Sequence, residues 1–173
     1  GNTLKKNVLT IEELKKLSKA VCGNEQVKKA FLFACYTGLG EAEIRKLTWS
    51  RIQNNRVILF REKSGEQIIN DLNAVALRQL PERGGKDELI FHLPSNVAVL
   101  KGLKNWVKRA EIDKKISFYC GRHTFAVQLL TNGANLKTVA DCLGQTSTKH
   151  TLKYLNFVDE LKSNAILNLP DIE

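Results

Sequence analysis

One short stretch of this chain is patterned for strands, and it is embedded in sequence patterned for helices. Arg56-Val57-Ile58-Leu59-Phe60 is apolar and β-branched, Lys63-Ser64-Gly65-Glu66 follows it, and Gln67-Ile68-Ile69 comes next. Two such runs around a polar, glycine-containing turn read as a β-hairpin, with Ile52 and its neighbours as a possible third strand. The flanks read differently. Thr10-Ile11-Glu12-Glu13 is a capping box, in which the Thr10 hydroxyl and the Glu13 carboxylate satisfy amides at a helix start. That helix is expected to run to about Cys22, with Leu14, Leu17 and Val21 on one face. Further helices are expected over 26–36, 41–49, 95–110, 121–131, 136–143, 149–154 and 158–167, with helical patterning also resuming near Asn73 and breaking at Pro81 and Gly84-Gly85. The chain shows no internal repeat, low-complexity tract or linker. The expectation is a mainly α fold with one small antiparallel β-sheet, an α+β domain.

Size and composition agree. The chain has 173 residues, of which 43% are hydrophobic and 26% charged, which excludes a disordered or fibrous class. A chain of this length buries a core of its own, so residues 1–173 read as one domain. The longest apolar run, Ala30 to Tyr36, is far short of the roughly 20 residues of a membrane span and reads as a core helix; no membrane partner is expected. Nothing at the start resembles a signal peptide. Cys22, Cys35, Cys120 and Cys142 include no CxxC pair, so they read as reduced, buried thiols of a cytoplasmic protein, and no structural metal is expected.

The formal net charge is +9, and it is uneven. Residues 1–140 carry 24 basic and 13 acidic side chains, whereas residues 141–173 carry 3 and 5. A basic body suggests an anionic partner, most simply nucleic acid, against the plainer reading of an uneven surface charge.

Three segments hold the candidate chemistry: TGLGEAEIRKLTW at 37–49, FYCGRHTFA at 118–126 and LGQTSTKHTLKY at 143–154. In this order they resemble the catalytic domain of the tyrosine recombinases, the phage-integrase family. That family's landmarks are a TGLRxxEL helix, a lysine in a β-hairpin, HxxRH, LGH, and a tyrosine nine residues after the last histidine. The resemblance covers nearly the whole chain and is closest in texture to integrases of Bacteroides-type mobile elements.

The resemblance implies roles residue by residue. Tyr154, nine positions beyond Gln145, is the expected nucleophile. A phenol ionises near pH ~10, so it needs help to lose its proton before attacking a phosphodiester. Arg122 matches the arginine of HxxRH, and its planar fork suits two phosphate oxygens. Lys63, in the hairpin turn, matches the lysine that protonates the leaving 5′ oxygen. Gln145 and Tyr119 stand at the positions of the LGH histidine and of the first HxxRH histidine, and Gly40 replaces the first arginine. Gln145 keeps a donor without a charge, and Tyr119 keeps a donor that is no base at neutral pH. Losing one arginine clamp of this kind costs ~10²–10³ in rate. Arg45, five positions after Gly40, is either a substitute for it or, the favoured reading, a DNA-backbone contact; Lys149 is also assigned to DNA. His123 is expected to support Arg122 and His92 to be structural; His150 is expected to share a helix face with Tyr154, either helping to accept its proton or, the favoured reading, standing exposed.

By resemblance the activity is cutting and rejoining of double-stranded DNA through a 3′-phosphotyrosyl intermediate. It needs no cofactor, because the covalent link stores the bond energy. The partners implied are duplex DNA and three further copies of the protein, with the acidic C-terminal segment docking between protomers. The family's N-terminal DNA-clamping domain is expected to be absent from this chain. The alternative is a catalytically impaired relic that binds DNA without cutting it. A more distant reading takes 136–154 as a helix-turn-helix reader of the major groove.

Overall fold

A computed structural model describes residues 2–60 and 64–173. Its centre is set by the apolar run noted above. After the short helix α1 (Asn2–Lys5) and α2 (Ile11–Lys19), helix α3 (Glu25–Cys35) buries Val27 and every residue from Ala30 to Cys35. Because its second half, Ala30 to Cys35, is apolar on all sides, that half must be surrounded. It is packed by α5 (Ala74–Gln79), α6 (Asn96–Arg109) and α7 (Cys120–Thr131). Gly121 makes the closest approach possible: a Cβ there would lie 2.9 Å from the Cβ of Ala34. Buried Trp106 of α6 donates its indole N–H to the carbonyl of Leu17, 3.0 Å away, which ties α6 to α2.

The capping box forms as read: Glu13 N–H donates to the Thr10 hydroxyl, and Thr10 N–H donates to the Glu13 carboxylate. The helix ends at Lys19, however, so Val21 is 71% exposed and Cys22 enters the core in its place. Helix α4 (Glu41–Lys46) also stops short of the expected Trp49. Leu47 turns extended to accept a bond from Ile90 N–H, and Trp49 is buried in a single 3₁₀ turn.

The sheet has strand order β1 (Ile52–Gln53), β2 (Arg56–Phe60) and β3 (Gln67–Asp71), all antiparallel. Asn54 and Asn55, with φ of 53° and 59°, form the two-residue turn joining β1 to β2. Positive φ at both positions is what a tight hairpin following the sheet's twist demands, and asparagine tolerates it.

Helices α8 (Leu136–Cys142) and α9 (Leu152–Leu167) complete the chain. They close a second, smaller apolar cluster over α7, containing Val127, Leu130, Val139, Leu143, Tyr154 and Phe157. The expected 149–154 helix is absent: Thr148–His150 is a 3₁₀ turn, and Leu152 opens one long helix that carries Tyr154 and continues through the segment expected at 158–167. All four cysteines are free, but Cys142 is only half-buried. No helix among the described residues is long and apolar enough to cross a membrane.

Candidate active site

The three motifs converge on one cleft of about 460 Å³. Its walls are the α3–α4 connection (Thr37 to Gly40), the start of α7 with Tyr119 and Arg122, and the segment from Cys142 to Ser147. Strand β2 reaches the rim at Leu59 and Phe60. Lys63 lies three residues further along, outside the described residues.

Local chemistry explains the shape of each wall. Gly38 has φ +78°, and a Cβ on it would lie 2.6 Å from the Phe125 ring and 2.8 Å from the Leu143 side chain, so only glycine fits. Helix α8 ends in a Schellman turn. Gly144, at φ +72°, donates its N–H to Asp141, and Gln145 N–H donates to the Ala140 carbonyl. This turn presents Gln145 to the cleft. Asn70 of β3 braces it by donating its amide to the Cys142 carbonyl at 2.8 Å.

Arg122 joins two of these walls. Its guanidinium donates to the carbonyls of Gly38 and Leu143, at 3.1 Å each, so the fork is held by backbone on both sides of the cleft. Such a preorganised cation is suited to charge that develops on a phosphate. Tyr119, 53% exposed, stands at the mouth of the cleft with its ring edge-on to His123, centroids 4.8 Å apart.

Tyr154 is placed differently. It is 2% exposed, belongs to the second apolar cluster and is not among the residues lining the cleft. Its phenol oxygen lies 2.6 Å from Nδ1 of buried His123. Burial, with the neighbouring Tyr119, pushes the phenol up to about 12 despite the opposing pull of Arg122. Burial, with the charges of Lys153 and Arg122, brings the imidazole down to about 4. At neutral pH the phenol is therefore protonated and the imidazole neutral. In the Nε2–H tautomer of the neutral imidazole, the phenol O–H donates to Nδ1. His123 thus contacts Tyr154 rather than supporting Arg122, whose bonds are to backbone carbonyls. Sequence reasoning had no signal for this pair, because it exists only through the packing of α9 on α7.

Other expected positions are also revised. Arg45 does not line the cleft. Its guanidinium bonds Glu41 at 2.9 Å and the carbonyls of Leu93 and Pro94, at 3.4 and 2.6 Å, which makes it a clasp for the loop before α6. His150 is exposed and borders the cleft from the 3₁₀ turn, so it does not share a helix face with Tyr154. Lys149 is exposed beside it. Gly40 lines the cleft with φ −82°, and a Cβ there would meet only the Glu43 carboxylate at 3.4 Å, so a larger residue is sterically admissible.

Residues 7–160 match the model of the phage integrase family. The chain belongs to that family. A tyrosine recombinase of Pseudothermotoga lettingae is 30% identical over 124 residues, covering 72% of this chain and 42% of that protein. The fold is similar to the catalytic domain of bacteriophage HP1 integrase, with a TM-score of 0.68 and 23% identity over 93% of this chain and 94% of that one. It is also similar to the Tn1549 transposon integrase solved in complex with circular intermediate DNA, with a TM-score of 0.62 and 21% identity over 85% of this chain and 60% of that one. The chain spans about half or less of the length of the curated relatives it matches. It is a tyrosine recombinase catalytic domain by family, mainly helical with a small antiparallel sheet.

Proposed function

We propose that this domain cuts and rejoins duplex DNA through a 3′-phosphotyrosyl link. The observation that carries the reading is the joint placement of the motif residues. Arg122, Gln145 and Tyr119 line one cleft, and Tyr154 sits one hydrogen bond from the residue after Arg122. That the Tn1549 integrase was solved with DNA supports duplex DNA as the ligand. Arg122 and the Gln145 amide hold the nonbridging oxygens of the scissile phosphate. The Tyr154 oxygen bonds to phosphorus, the bond to the 5′ oxygen breaks, and Lys63 protonates that oxygen. A 5′ hydroxyl later reverses these events on a new strand, so the ester energy is conserved and no cofactor is consumed.

Tyr154 lies just after the 148–150 turn, and in this reading a small shift of that turn opens the phenol to the cleft while it stays bonded to His123 Nδ1. Beyond Val158, helix α9 exposes Leu161, Ile166 and Leu167. An apolar surface of this kind supports docking on a second copy within a tetramer on DNA. Lys149 meets the DNA backbone beside the cleft. We assign the protein to the cytoplasm on its free cysteines and, on sequence texture, to a Bacteroides-type mobile element. Residues 1–173 form a single catalytic domain.

A second reading, a DNA-binding relic, is favoured by the burial of Tyr154 and by the missing side chain at Gly40. The test begins with randomised, nicked suicide duplexes, from which those retained by the full protein are selected. These are then assayed for a covalent adduct on a denaturing gel. An adduct lost in Tyr154→Phe supports the recombinase. Bound duplexes that give no adduct, in wild type or in Gly40→Arg, establish the relic.

A further inference from the structure

We infer that His123 is the proton acceptor for Tyr154: its Nδ1 takes the phenolic proton as the oxygen attacks phosphorus. This rests on the recombinase reading above. The geometry is direct. The phenol oxygen and Nδ1 are 2.6 Å apart in a buried site, the range of a strong O–H···N bond. A general base must lie within that reach of the proton it removes. Among the described residues, His123 is the hydrogen-bond partner of the Tyr154 hydroxyl. Tyr119, at the position where the resemblance puts a histidine, presents a phenol at the cleft mouth and touches His123 only edge-on.

The surroundings suit the role. The charged and titratable groups facing the pair are Tyr119 and Arg122 on α7 and Lys153 on α9, the last 5.1 Å from the Tyr154 ring. The two cations and the burial keep the imidazole unprotonated at neutral pH, so Nδ1 is available as a base. Proton transfer in the resting pair is strongly uphill. It becomes favourable as the O–P bond forms, because the oxygen of an aryl phosphate holds its proton very weakly. One O–P bond forms, the bond to the 5′ oxygen breaks, and the proton passes to Nδ1. The leaving 5′ oxygen is protonated by the ammonium of Lys63. In the joining step the imidazolium returns its proton to the departing phenol oxygen, so the chain ends as it began.

The experiment measures single-turnover adduct formation on a selected suicide duplex from pH 6 to 9. It uses the full protein as wild type, His123→Asn, His123→Gln and Tyr154→Phe. Both histidine variants offer an acceptor oxygen to the phenol but cannot carry its proton away. Their expected rate at pH 7 is lower by ~10²–10³, within the usual range for a lost general base. It should climb about tenfold per pH unit as the phenolate becomes populated, while the wild type stays nearly flat. Variants within threefold of wild type, or slowed equally at every pH, overturn the inference, since a merely positional histidine would leave the profile's shape alone. Wild-type protein also provides a check independent of variant folding. The ¹⁵N spectrum of its imidazoles should show His123 with a bare Nδ1 at pH 7, and a proton on Nδ1 would overturn the role. No adduct from wild type, or an adduct that survives Tyr154→Phe, overturns the recombinase reading itself. A wild-type adduct with unaffected histidine variants overturns the assignment of His123 alone.

Discussion

Replacing Gly38 by alanine should damage this domain far more than the same change at Gly144, although both glycines have positive φ on the walls of one cleft. Each substitution forces an L side chain into the left-handed region, at a cost of about 1–2 kcal/mol. At Gly144 the new methyl meets only the tip of the Ile68 side chain at 3.4 Å, an ordinary contact. At Gly38 it collides with Phe125 at 2.6 Å and Leu143 at 2.8 Å, two groups held in packed apolar surroundings. Overpacking of this kind adds about 1–3 kcal/mol. The sum at Gly38 is about 2–5 kcal/mol, and its middle corresponds to a Tm lower by about 7–14 °C for a chain of this size. The collision also moves the carbonyl that receives Arg122, so cleavage should fall more steeply than DNA binding. Thermal melts of the two variants side by side test the argument. A Gly38→Ala protein that melts no lower than Gly144→Ala would refute it, because the packing term would then be absent.

Two further outcomes are expected. Arg45→Ala should lower stability by about 1–3 kcal/mol by unmaking charge-assisted bonds to Leu93, Pro94 and Glu41. It should leave the slope of log affinity against log salt unchanged; a slope reduced by about one would restore Arg45 as a phosphate contact. The half-buried Glu13–Lys114 pair, 2.7 Å apart, should make stability fall in acid. Burial alone would raise the Glu13 pKa, but bonds from Lys114 and Thr10 outweigh it and hold the value below 4.5. A depressed carboxyl contributes stability that is present above its unfolded pKa and lost as pH drops through the folded one. The Tm gap between wild type and Glu13→Gln, followed by calorimetry, should therefore be full at pH 7 and close below about pH 4.

Local signals carried much of the fold. The capping box, the hairpin and the apolar run of α3 depend on neighbours in sequence, and each forms where its pattern lies. The misreadings arise where tertiary contacts override such patterns. Leu47 ends α4 early because Ile90, distant in sequence, takes its carbonyl. Lys149 to Tyr154 looks helical, yet buried Thr151 sits where the 3₁₀ turn gives way to α9, and this separates His150 from Tyr154. In the site, Arg122 and Gln145 were legible as neighbours of one cleft because a helix start and a glycine turn present them. The clasp that Arg45 makes was not legible, because nothing in its own segment reveals the Leu93 and Pro94 carbonyls it bonds.

The same limit applies to how the nucleophile is activated. Missing arginine and histidine side chains suggest a cleft poor in positive charge. Among the described residues that line it, Arg122 is the one Lys or Arg side chain and Glu43 opposes it, and burial holds Tyr154 at about 12. At pH 7 roughly one Tyr154 in 10⁵ is then ionised, so attack by a preformed phenolate would lose about that factor in rate. A cation added at Gly40 would reduce this loss by stabilising the phenolate and the transition state together. Removing the proton during attack avoids the loss altogether, because the base then acts on an oxygen already bonding to phosphorus. That route requires a neutral acceptor within hydrogen-bond reach, and the 2.6 Å contact from His123 Nδ1 meets both conditions. The absent family cations therefore bear chiefly on how well phosphate charge is stabilised, and much less on whether Tyr154 can lose its proton.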